Sequence, residues 1–438
     1  MKYISNIVKA TTLLSVSAML VLSSCNKDLE QFATPVNTPP TDPSGLSLGA
    51  TLAANADDSL YYRMVVKAGL NNLLANKTTY FTLFVPGNAA MRQFITAASG
   101  GLVPPGVPDE IFSGFIVNNL PAATANAIVS YNTIPQVIRT SNIPSTFPNF
   151  QYPSILNPAP AVSALLRLTT FPSTANGAWV NNVPLSGVNA EAANGIIHHT
   201  AAVTTPPQRF LWDRINTDAQ LTYLKAAINR ADSGTASPGY LQGVLLNIGA
   251  NLTVFAPTDD AFKATITGAA YKVILPLVTQ QLTALYISGG MTPADAATQA
   301  AIDAPPIALG QATTLASSPT VFSNPALYGV LTAENVKGIL VYHLFGNRAF
   351  TNNFPTTPTA KPTLLNTVIT AHPGVIINAT FGTPFVTNAT IKGAFNTTDA
   401  NILINASPLT PDPLGTSDQH YTNGVLHKID QVLLPAQL

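Results

Sequence analysis

The chain is short of charge. Only 9% of its 438 residues are charged, and the 20 basic residues balance the 20 acidic ones. Typical soluble proteins carry about 25% charged residues. Without an excess of positive charge or a basic cluster, the sequence excludes electrostatic binding to nucleic acid. We expect surface polarity to come from Asn, Thr, Ser and Gln, which suits contact with neutral polymers or other proteins.

The signatures of catalysis are also missing. The sequence has no Gly-x-Ser-x-Gly elbow, no His-Glu-x-x-His motif and no phosphate-binding loop. A glycosidase needs only two carboxylates, so a hydrolase without a motif stays open as an alternative. We nevertheless expect a binding protein that is not an enzyme and that needs neither a cofactor nor a metal ion.

Cysteine occurs once, at Cys25. It follows an apolar run at residues 10–22 that is too short to span about 30 Å of hydrocarbon but fits a signal peptide. The preceding Leu22-Ser23-Ser24 completes a sequence that resembles a bacterial lipobox. We therefore predict a signal peptide at residues 1–24 and lipidation of Cys25. No later segment reaches 18 uninterrupted apolar residues, so we expect the lipid to be the only membrane anchor.

Residues 25–45 have the composition of a tether. Four prolines among polar residues favour extended chain at about 3.1 Å per residue and cannot bury a core. Residues 26–30 resemble the surface-export signal of some Gram-negative lipoproteins. We expect a cell-envelope, outer-membrane lipoprotein that is exposed at the cell surface, with a periplasm-facing anchor as the alternative.

Three motifs occur twice, in the same order, which predicts a duplicated domain. The repeated pairs are residues 82–91 with 253–262, Tyr131-Asn132 with Tyr342-His343, and residues 194–198 with 423–427. We assign residues 46–207 to copy one and residues 208–438 to copy two. The copies should fold separately and meet near residues 206–211.

Copy two is the longer copy. Phe84 and Phe255 lie 171 positions apart, whereas His198 and His427 lie 229 apart, so copy two carries 58 extra residues between these landmarks. Such insertions usually form surface loops that can gain function. We expect binding to map mainly between Lys263 and Val330, although these residues could simply pad the fold. Within the insertion, residues 294–301 should form a helix opened by Thr292-Pro293, whereas residues 304–306 and 316–320 look like loops.

The first motif predicts a strand followed by a helix. Residues 80–86 and 252–256 are β-prone, and each strand should end at a proline. In copy two, Thr258 should cap the next helix, with Asp259 and Asp260 in its first turn. These aspartates could suggest acid–base catalysis, but adjacent residues at a helix start point in different directions.

The closing motif predicts a turn and a strand. Asn423-Gly424 favours the positive φ values of a type I′ hairpin. Strand alternation puts His427 on a face with Val425 and Ile429, as expected for a core histidine. Because His198-His199 should point to opposite faces, that pair is a poor metal site.

Together these motifs resemble the fasciclin domain family. Residues 253–262 match its first signature, Tyr342-His343 its central Tyr-His pair, and residues 423–435 its closing motif. Copy one is more divergent, since Gly87 replaces the capping Thr and Asn132 the His. The resemblance implies an α+β fold with two fasciclin-like domains, each a β-sheet wedge with packed helices. It also implies adhesion, or recognition of extracellular proteins and glycans.

Two functional readings follow from this resemblance. The first is a lipid-anchored adhesion protein that binds extracellular protein or matrix partners, and the alternative is a glycan-binding lipoprotein that helps to capture polysaccharide. Tyr342 and His343 are candidate binding residues, with an internal hydrogen bond as the alternative role. Exposed aromatic side chains along the copy-two insertion would favour glycans, whereas an apolar patch would favour protein partners.

Overall fold

The computed structural model describes residues 40, 42–234, 239–329, 331–405, 408–409, 412 and 414–436. Cys25, the predicted signal peptide and most of the tether lie outside the described residues. Within the described residues, copy one and copy two each combine β-sheet with packed helices. The predicted α+β fold class is confirmed.

Copy one alternates helices and strands before it closes with a long hairpin. Its helices are α1 (Leu48–Ala54), α2 (Ser59–Lys67), α3 (Asn71–Ala75), α4 (Asn88–Ala98), α5 (Asp109–Asn118) and α6 (Ala122–Tyr131). Its strands are β1 (Phe81–Pro86), β2 (Thr133–Ile134), β3 (Tyr152–Pro153), β4 (Thr169–Thr170), β5 (Pro172–Ser173), β6 (Trp179–Val180), β7 (Val183–Ala192) and β8 (Gly195–Thr200).

Copy two repeats this order with two much longer helices in the middle. Its helices are α7 (Leu211–Thr217), α8 (Thr222–Asp232), α9 (Leu241–Leu246), α10 (Asp259–Ser288), α11 (Pro293–Leu315) and α12 (Ala333–Tyr342). Its strands are β9 (Leu252–Pro257), β10 (Leu344–Gly346), β11 (Thr359–Lys361), β12 (Val375–Phe381), β13 (Val386–Gly393), β14 (Ala400–Asn401), β15 (Gln419–Tyr421) and β16 (Gly424–Ile429).

The two copies share the same central sheet. Its order is β2-β1-β8-β7 in copy one, continued by β6 and β5, and β10-β9-β16-β15 in copy two. In both, the middle pair is parallel and its outer neighbours are antiparallel. A second sheet in copy two has the order β11-β12-β13-β14. The first and last repeated motifs thus form the paired central strands of each copy.

The predicted strand–proline–helix unit is confirmed in both copies. β1 ends at Pro86 and β9 at Pro257, and every residue of both strands is buried. In copy two the hydroxyl of Thr258 accepts a hydrogen bond from the backbone N–H of Ala261, which caps α10. In copy one Gly87 offers no side-chain cap to α4. The divergence of copy one therefore removes a cap without changing the fold.

The type I′ turn predicted for Asn423-Gly424 is wrong. The two residues between β15 and β16 are Thr422 and Asn423, and Gly424 already pairs with Leu252 of β9. Neither Asn423 nor Gly424 has a positive φ. Instead, the Asn423 side chain accepts a hydrogen bond from Leu211 N–H and donates one to the Leu245 carbonyl, at 3.0 and 2.9 Å. The asparagine ties α7 and α9 to the sheet.

Copy one uses its asparagine in the same way. Asn194 accepts a hydrogen bond from Leu48 N–H at 2.7 Å and donates to the carbonyls of Leu74 and Asn76. The asparagine of the repeated Asn-Gly pair therefore docks helices on the sheet. Sequence alone predicted a turn here because asparagine is common both in turns and in side-chain hydrogen bonds to the backbone.

A buried interface joins the two copies. The docking segment, residues 348–354 of copy two, lies against residues 146–181 of copy one. Phe350 is fully buried, with ring centroids 5.9 Å from Phe171 of copy one and 5.3 Å from His420. The guanidinium of Arg348 lies 4.8 Å from the ring centroid of Phe171. Aromatic packing across the interface thus couples the two cores.

Asparagine side chains satisfy the backbone at this interface. Asn149 accepts a hydrogen bond from Phe350 N–H at 2.9 Å, and Asn352 and Asn353 donate to the carbonyls of Asn181 and Thr146 at 2.6 and 2.8 Å. All four of these asparagines are buried. Part of the asparagine content that we assigned to the surface therefore lies inside the molecule. We now expect the copies to unfold together, in place of the separate folding predicted from the sequence.

Candidate functional site

Tyr342 ends helix α12 and is fully buried. Its hydroxyl donates a hydrogen bond to the carbonyl of Gly374, at 2.5 Å, and accepts one from Ala394 N–H, at 2.9 Å. Burial raises the pKa of the Tyr342 hydroxyl to about 12, so it stays protonated and can donate. The side chain joins α12 to the segments next to β12 and β13.

His343 is 1% exposed and braces the end of the domain. Burial lowers its pKa to about 4, so the ring is neutral near pH 7. Its Nε2 accepts a hydrogen bond from Leu433 N–H at 2.9 Å, which leaves Nδ1 to donate to the Ile339 carbonyl at 2.8 Å. The side chains of Tyr342 and His343 are both buried and do not reach the protein surface. Their hydrogen bonds favour the alternative role, in which they brace the fold internally.

Copy one keeps this brace although its histidine is replaced. Asn132 donates hydrogen bonds to the carbonyls of Ile128 and Thr204, at 2.9 and 2.7 Å. The first bond reaches back four residues, as His343 does, and the second reaches the segment that closes the copy. The hydroxyl of Tyr131 donates to the Thr169 carbonyl at 3.1 Å. An amide thus performs the bridging that the imidazole performs in copy two.

The core role predicted for His427 is confirmed. The ring is fully buried and stacks on Phe255 with a centroid distance of 5.5 Å. Its Nδ1 accepts a hydrogen bond from Asp418 N–H, and its Nε2 lies 2.9 Å from the Ala349 carbonyl. His198 makes the same stacking contact with Phe84 in copy one, at 5.6 Å.

Asp259 and Asp260 point in different directions, as predicted. Asp259 accepts hydrogen bonds from Tyr223 N–H and the Thr222 hydroxyl, at 2.9 and 2.6 Å, and so caps the neighbouring helix α8. Asp260 has a side chain that is 92% exposed and pairs with Lys263. Among the described residues, no group of three or more His, Cys, Asp or Glu side chains is arranged to hold a metal ion.

Each copy carries a partly buried ion pair on its last central strand. In copy two, the Nζ of Lys428 lies 2.7 Å from Asp218 Oδ2, and the lysine side chain is 1% exposed. In copy one, the Nε2 of His199 lies 3.1 Å from Asp58 Oδ1, and the aspartate side chain is 1% exposed. Lys428 and His199 occupy matching positions, opposite Ala256 of β9 and Val85 of β1. Only the pair in copy one contains a group that titrates near neutral pH.

We expect the contribution of this ion pair to stability to fall as His199 loses its proton. The hydrogen bond to Asp58 raises the pKa of His199 above its ordinary value of 6.5. A raised pKa in the folded state stabilises the protein fully below pH 6.5, and the gain is lost as pH rises through the folded value. The contribution of this ion pair, measured in urea as the difference in free energy of unfolding between the wild type and a variant without the imidazole, should fall by about 1 kcal/mol between pH 6 and pH 8.

The matched variant is His199→Gln, which can still donate to Asp58 but carries no charge. This variant should lose that part of the slope and match the wild-type value at pH 8. A variant with the same slope as the wild type would assign the pH dependence to another group.

The copy-two insertion forms a helical hairpin, residues 259–315, made of α10 and α11. α10 has 30 residues and is about 45 Å long. Its first turns pack in the core of copy two through Phe262 and Ile266. Farther out, Val278 packs instead with Ala304 and Ala308 of α11 in a small separate cluster. The outer part of the hairpin therefore stands away from the body of the domain.

Alanines let the two helices approach closely. Every fourth residue on the inner side of α11 is an alanine that is 0% exposed, namely Ala296, Ala300, Ala304, Ala308 and Ala312. The hydroxyl of Tyr286 donates to Asp303 across the pair, at 2.6 Å. Thr292 caps α11 by accepting from Asp295 N–H, so the predicted helix start is confirmed.

The loop predicted at residues 304–306 is wrong, because Pro305 and Pro306 lie inside α11. Each proline removes one backbone hydrogen bond from the helix. Packing of the alanine row on α10 runs through this point, since Ala304 and Ala308 flank the prolines and are fully buried. Tertiary packing thus overrides the local preference. Residues 316–318 do form the predicted break, before a short 3-10 helix at Pro319–Ser323.

The outer surface of the hairpin is aliphatic and nearly uncharged. Its large exposed apolar side chains are Val273, Leu277, Leu285, Ile287, Met291, Ile302, Ile307 and Leu309. From residue 273 to residue 294 the sequence contains no Asp, Glu, Lys or Arg. By length and composition alone α10 could also cross a membrane, since an 18-residue window has a mean hydropathy of 1.2 and is 22% buried.

One family model matches part of the chain. Residues 57–206 match the model of the fasciclin domain. The chain is also similar to the solved structure of a FAS1 domain pair from the insect cell adhesion molecule fasciclin I. The two are 12% identical, and the alignment covers 87% of this chain and 97% of that one with a TM-score of 0.29. No curated protein matches the chain. The chain therefore contains a fasciclin domain at residues 57–206, within an α+β structure that repeats its central sheet in copy two.

Proposed function

We propose that this is a lipid-anchored cell-envelope protein that recognises an extracellular protein partner through copy two. The observation that supports this proposal is the hairpin, an aliphatic surface with almost no charge that stands away from the domain. Contiguous apolar surface of this kind usually marks a site of protein contact. The buried Tyr342 and His343 do not contribute directly. Binding rather than catalysis is the role that fits this surface.

Protein is a better partner than glycan for this surface. Sugar rings bind by stacking on exposed aromatic side chains, whereas the large exposed side chains of the hairpin are Val, Leu, Ile and Met. The exposed aromatics of the described residues, Tyr240, Tyr328 and Phe395, lie outside the hairpin. Apolar contact with a protein is therefore the favoured mode.

Removing the outer hairpin should abolish partner binding while the domain stays folded. Residues 271–310 would be replaced by a short Gly-Ser turn, which keeps Ile266 and Ala316 in the core of copy two. We expect cell-envelope pull-downs and binding to matrix proteins to be lost, with the near-ultraviolet circular dichroism preserved. Binding by the full chain that survives this deletion would place recognition outside the hairpin.

Tyr342→Phe is the matched control for this deletion. It removes a buried hydroxyl and leaves the Gly374 carbonyl and Ala394 N–H without their partner, which should cost about 1–3 kcal/mol of stability. Because the side chain has no exposed surface, binding should remain. Loss of binding by this stably folded variant would restore Tyr342 as a contact residue.

The anchor has its own test. Cys25 follows a short apolar run and a lipobox-like sequence, and acyl chains contribute about 0.8 kcal/mol per buried CH₂. Cys25→Ser should move the protein from the membrane fraction to the soluble fraction. Surface display is then checked by protease treatment of intact cells, which should digest the lipidated protein. If the Cys25→Ser protein stays in the membrane fraction, the proposed lipidation of Cys25 is wrong.

A further inference from the structure

Helix α10 carries a second pattern on the side that faces away from α11. Residues 273, 277, 280, 284 and 287 follow one another at alternating spacings of four and three, as in the seam of a coiled coil. They are Val, Leu, Gln, Ala and Ile, and all five are exposed. We call this row the α10 seam. Val278, on the opposite side of the helix, is buried against α11. The helix thus has two faces suited to packing. The face that contains Val278 is covered by α11, and the face that contains the seam is exposed.

The spacing of the seam fits a second helix as its occupant. A repeat of 3.5 residues keeps the same stripe in register with a partner helix over several turns. Any stripe along an α-helix has this spacing, so the choice of occupant depends on which side chains meet across the contact. A shallow groove of about 860 Å³ runs beside the seam, lined in part by Pro276, Thr279 and Thr283. Lys272 also lines this groove, and the other residues that line it are uncharged, so a helix with a mostly uncharged face fits.

The seam is complementary to itself in the antiparallel direction. In an antiparallel pair with its axis between residues 277 and 280, Val273 lies opposite Ala284 and Leu277 lies opposite Gln280. The same register puts Ile287 opposite Ala270 of the partner. Each large side chain then meets a smaller or more flexible one, as close packing requires. No like charges face each other along this contact.

The bulk of the protein also selects the antiparallel direction. Packed helices lie about 8–10 Å apart, whereas a body of some 380 residues has a radius of gyration of about 21 Å. A parallel pair would force two bodies into the same space, but an antiparallel pair leaves one at each end. We infer that two copies of this chain associate through their α10 seams to form an antiparallel four-helix contact. This association goes beyond the proposed recognition of a partner and leaves the outer face of α11 free.

The contact is small. A strip roughly 30 Å long and 10 Å wide on each chain, about 600 Å² in total, is below the usual size of a specific interface and belongs with weak, transient contacts. The association should therefore be reversible in solution, in the micromolar range, and stronger among molecules confined to one surface. Sedimentation of the mature Cys25→Ser chain up to about 100 µM should show a monomer–dimer equilibrium.

Two exposed leucines give a matched pair of variants. Leu277 in the seam and Leu309 on the far side of α11 are 54% and 51% exposed. Leu277→Glu should weaken dimerisation at least tenfold, and Leu309→Glu should leave it unchanged, with equal helix content in both. A chain that stays monomeric at every concentration, or two variants that behave alike, would overturn the inference. So would a monomer that floats with phosphatidylethanolamine–phosphatidylglycerol vesicles in a Leu277-dependent manner, since the occupant would then be a bilayer.

Cysteine cross-linking tests the register without disturbing the charge. The Cys25→Ser chain has no thiol, so a Val273→Cys chain and an Ala284→Cys chain each have one. In the antiparallel register these positions face each other, while residue 273 lies about 16 Å from its own copy. A disulfide should form only when the two chains are mixed. Cross-linking of either chain with itself would contradict the antiparallel pair.

Discussion

Gly424→Ala is expected to destabilise the protein by about 3 kcal/mol or more. A Cβ atom at this position would lie 2.5 Å from the carbonyl oxygen of Leu252 and 2.5 Å from Cδ1 of Leu211. The carbonyl belongs to the neighbouring central strand, which the sheet holds on both sides and which cannot move away. The glycine of the closing motif is therefore required by the close approach of two strands and a helix. Urea unfolding monitored by circular dichroism measures the loss.

Gly338→Ala is the matched control for this substitution. Gly338 lies inside helix α12, and a Cβ atom there would meet nothing within 4 Å. Alanine in a helix interior should stabilise the protein by about 0.5–1 kcal/mol, because it reduces the backbone freedom of the unfolded chain. Opposite signs for the two glycine variants are the expected result. Equal effects would mean that close packing is not what position 424 requires.

Phe350→Ala should uncouple the two copies. The ring is fully buried between Phe171 of copy one and His420 of copy two. Its removal leaves a cavity at the centre of the interface, and such large-to-small changes typically cost about 3–5 kcal/mol. We expect the wild-type protein to unfold in one calorimetric transition and this variant in two.

The two tryptophans allow the uncoupling to be followed separately. Trp212 lies in copy two and reports on that copy, whereas Trp179 lies in copy one with its ring 5.8 Å from Phe385 of copy two, so it reports on copy one together with the interface. In the wild-type background both signals should change at the same urea concentration, and in the Phe350→Ala background they should separate. Phe395→Ala, at a ring that is 54% exposed, should change stability by less than about 0.5 kcal/mol. Separate transitions already present in the wild-type protein would show that the interface does not couple the copies.

Local preference predicted individual strands and helices, whereas the α+β fold class followed from the resemblance to the fasciclin family. The apolar runs that became β1 and β9, the cap at Thr258 and the helix opened at Pro293 are all set by residues adjacent in sequence. The order of the repeated motifs supplied the duplication. The features that sequence reasoning missed depend on contacts between distant residues.

The hairpin shows where this reasoning stops. Pro305-Pro306 is a strong local signal for a loop, yet the alanine row on both sides of it packs on α10 and keeps the helix continuous. The row itself was visible in the sequence as alanine at every fourth position from residue 296 to residue 312. The seam on α10 was visible as a four-three spacing. Neither pattern can be interpreted until it is known that both segments are helical and lie side by side.

The interface between the copies was invisible for a different reason. Asn149 and Asn352 are of a residue type that usually lies at the surface. The residues next to them in sequence do not distinguish them from exposed asparagines. They are buried because each pairs with backbone groups of the other copy. Burial of this kind depends on geometry over about 200 positions of sequence, which a local pattern does not encode.

The docking segment has a consequence for the order in which the chain matures. Copy one is complete as a sheet at Thr200, but the segment that covers Phe171 follows only at residues 348–354. At a synthesis rate of about 5–20 residues per second, roughly 7–30 s pass between the synthesis of Thr200 and that of the covering segment. During this interval Phe171 is not covered by the docking segment, so the burial of the interface of copy one depends on the later synthesis of copy two. A nascent chain that stalls before residue 348 would expose this apolar surface and be prone to aggregate. Chaperones and proteases can recognise such a chain by the same surface.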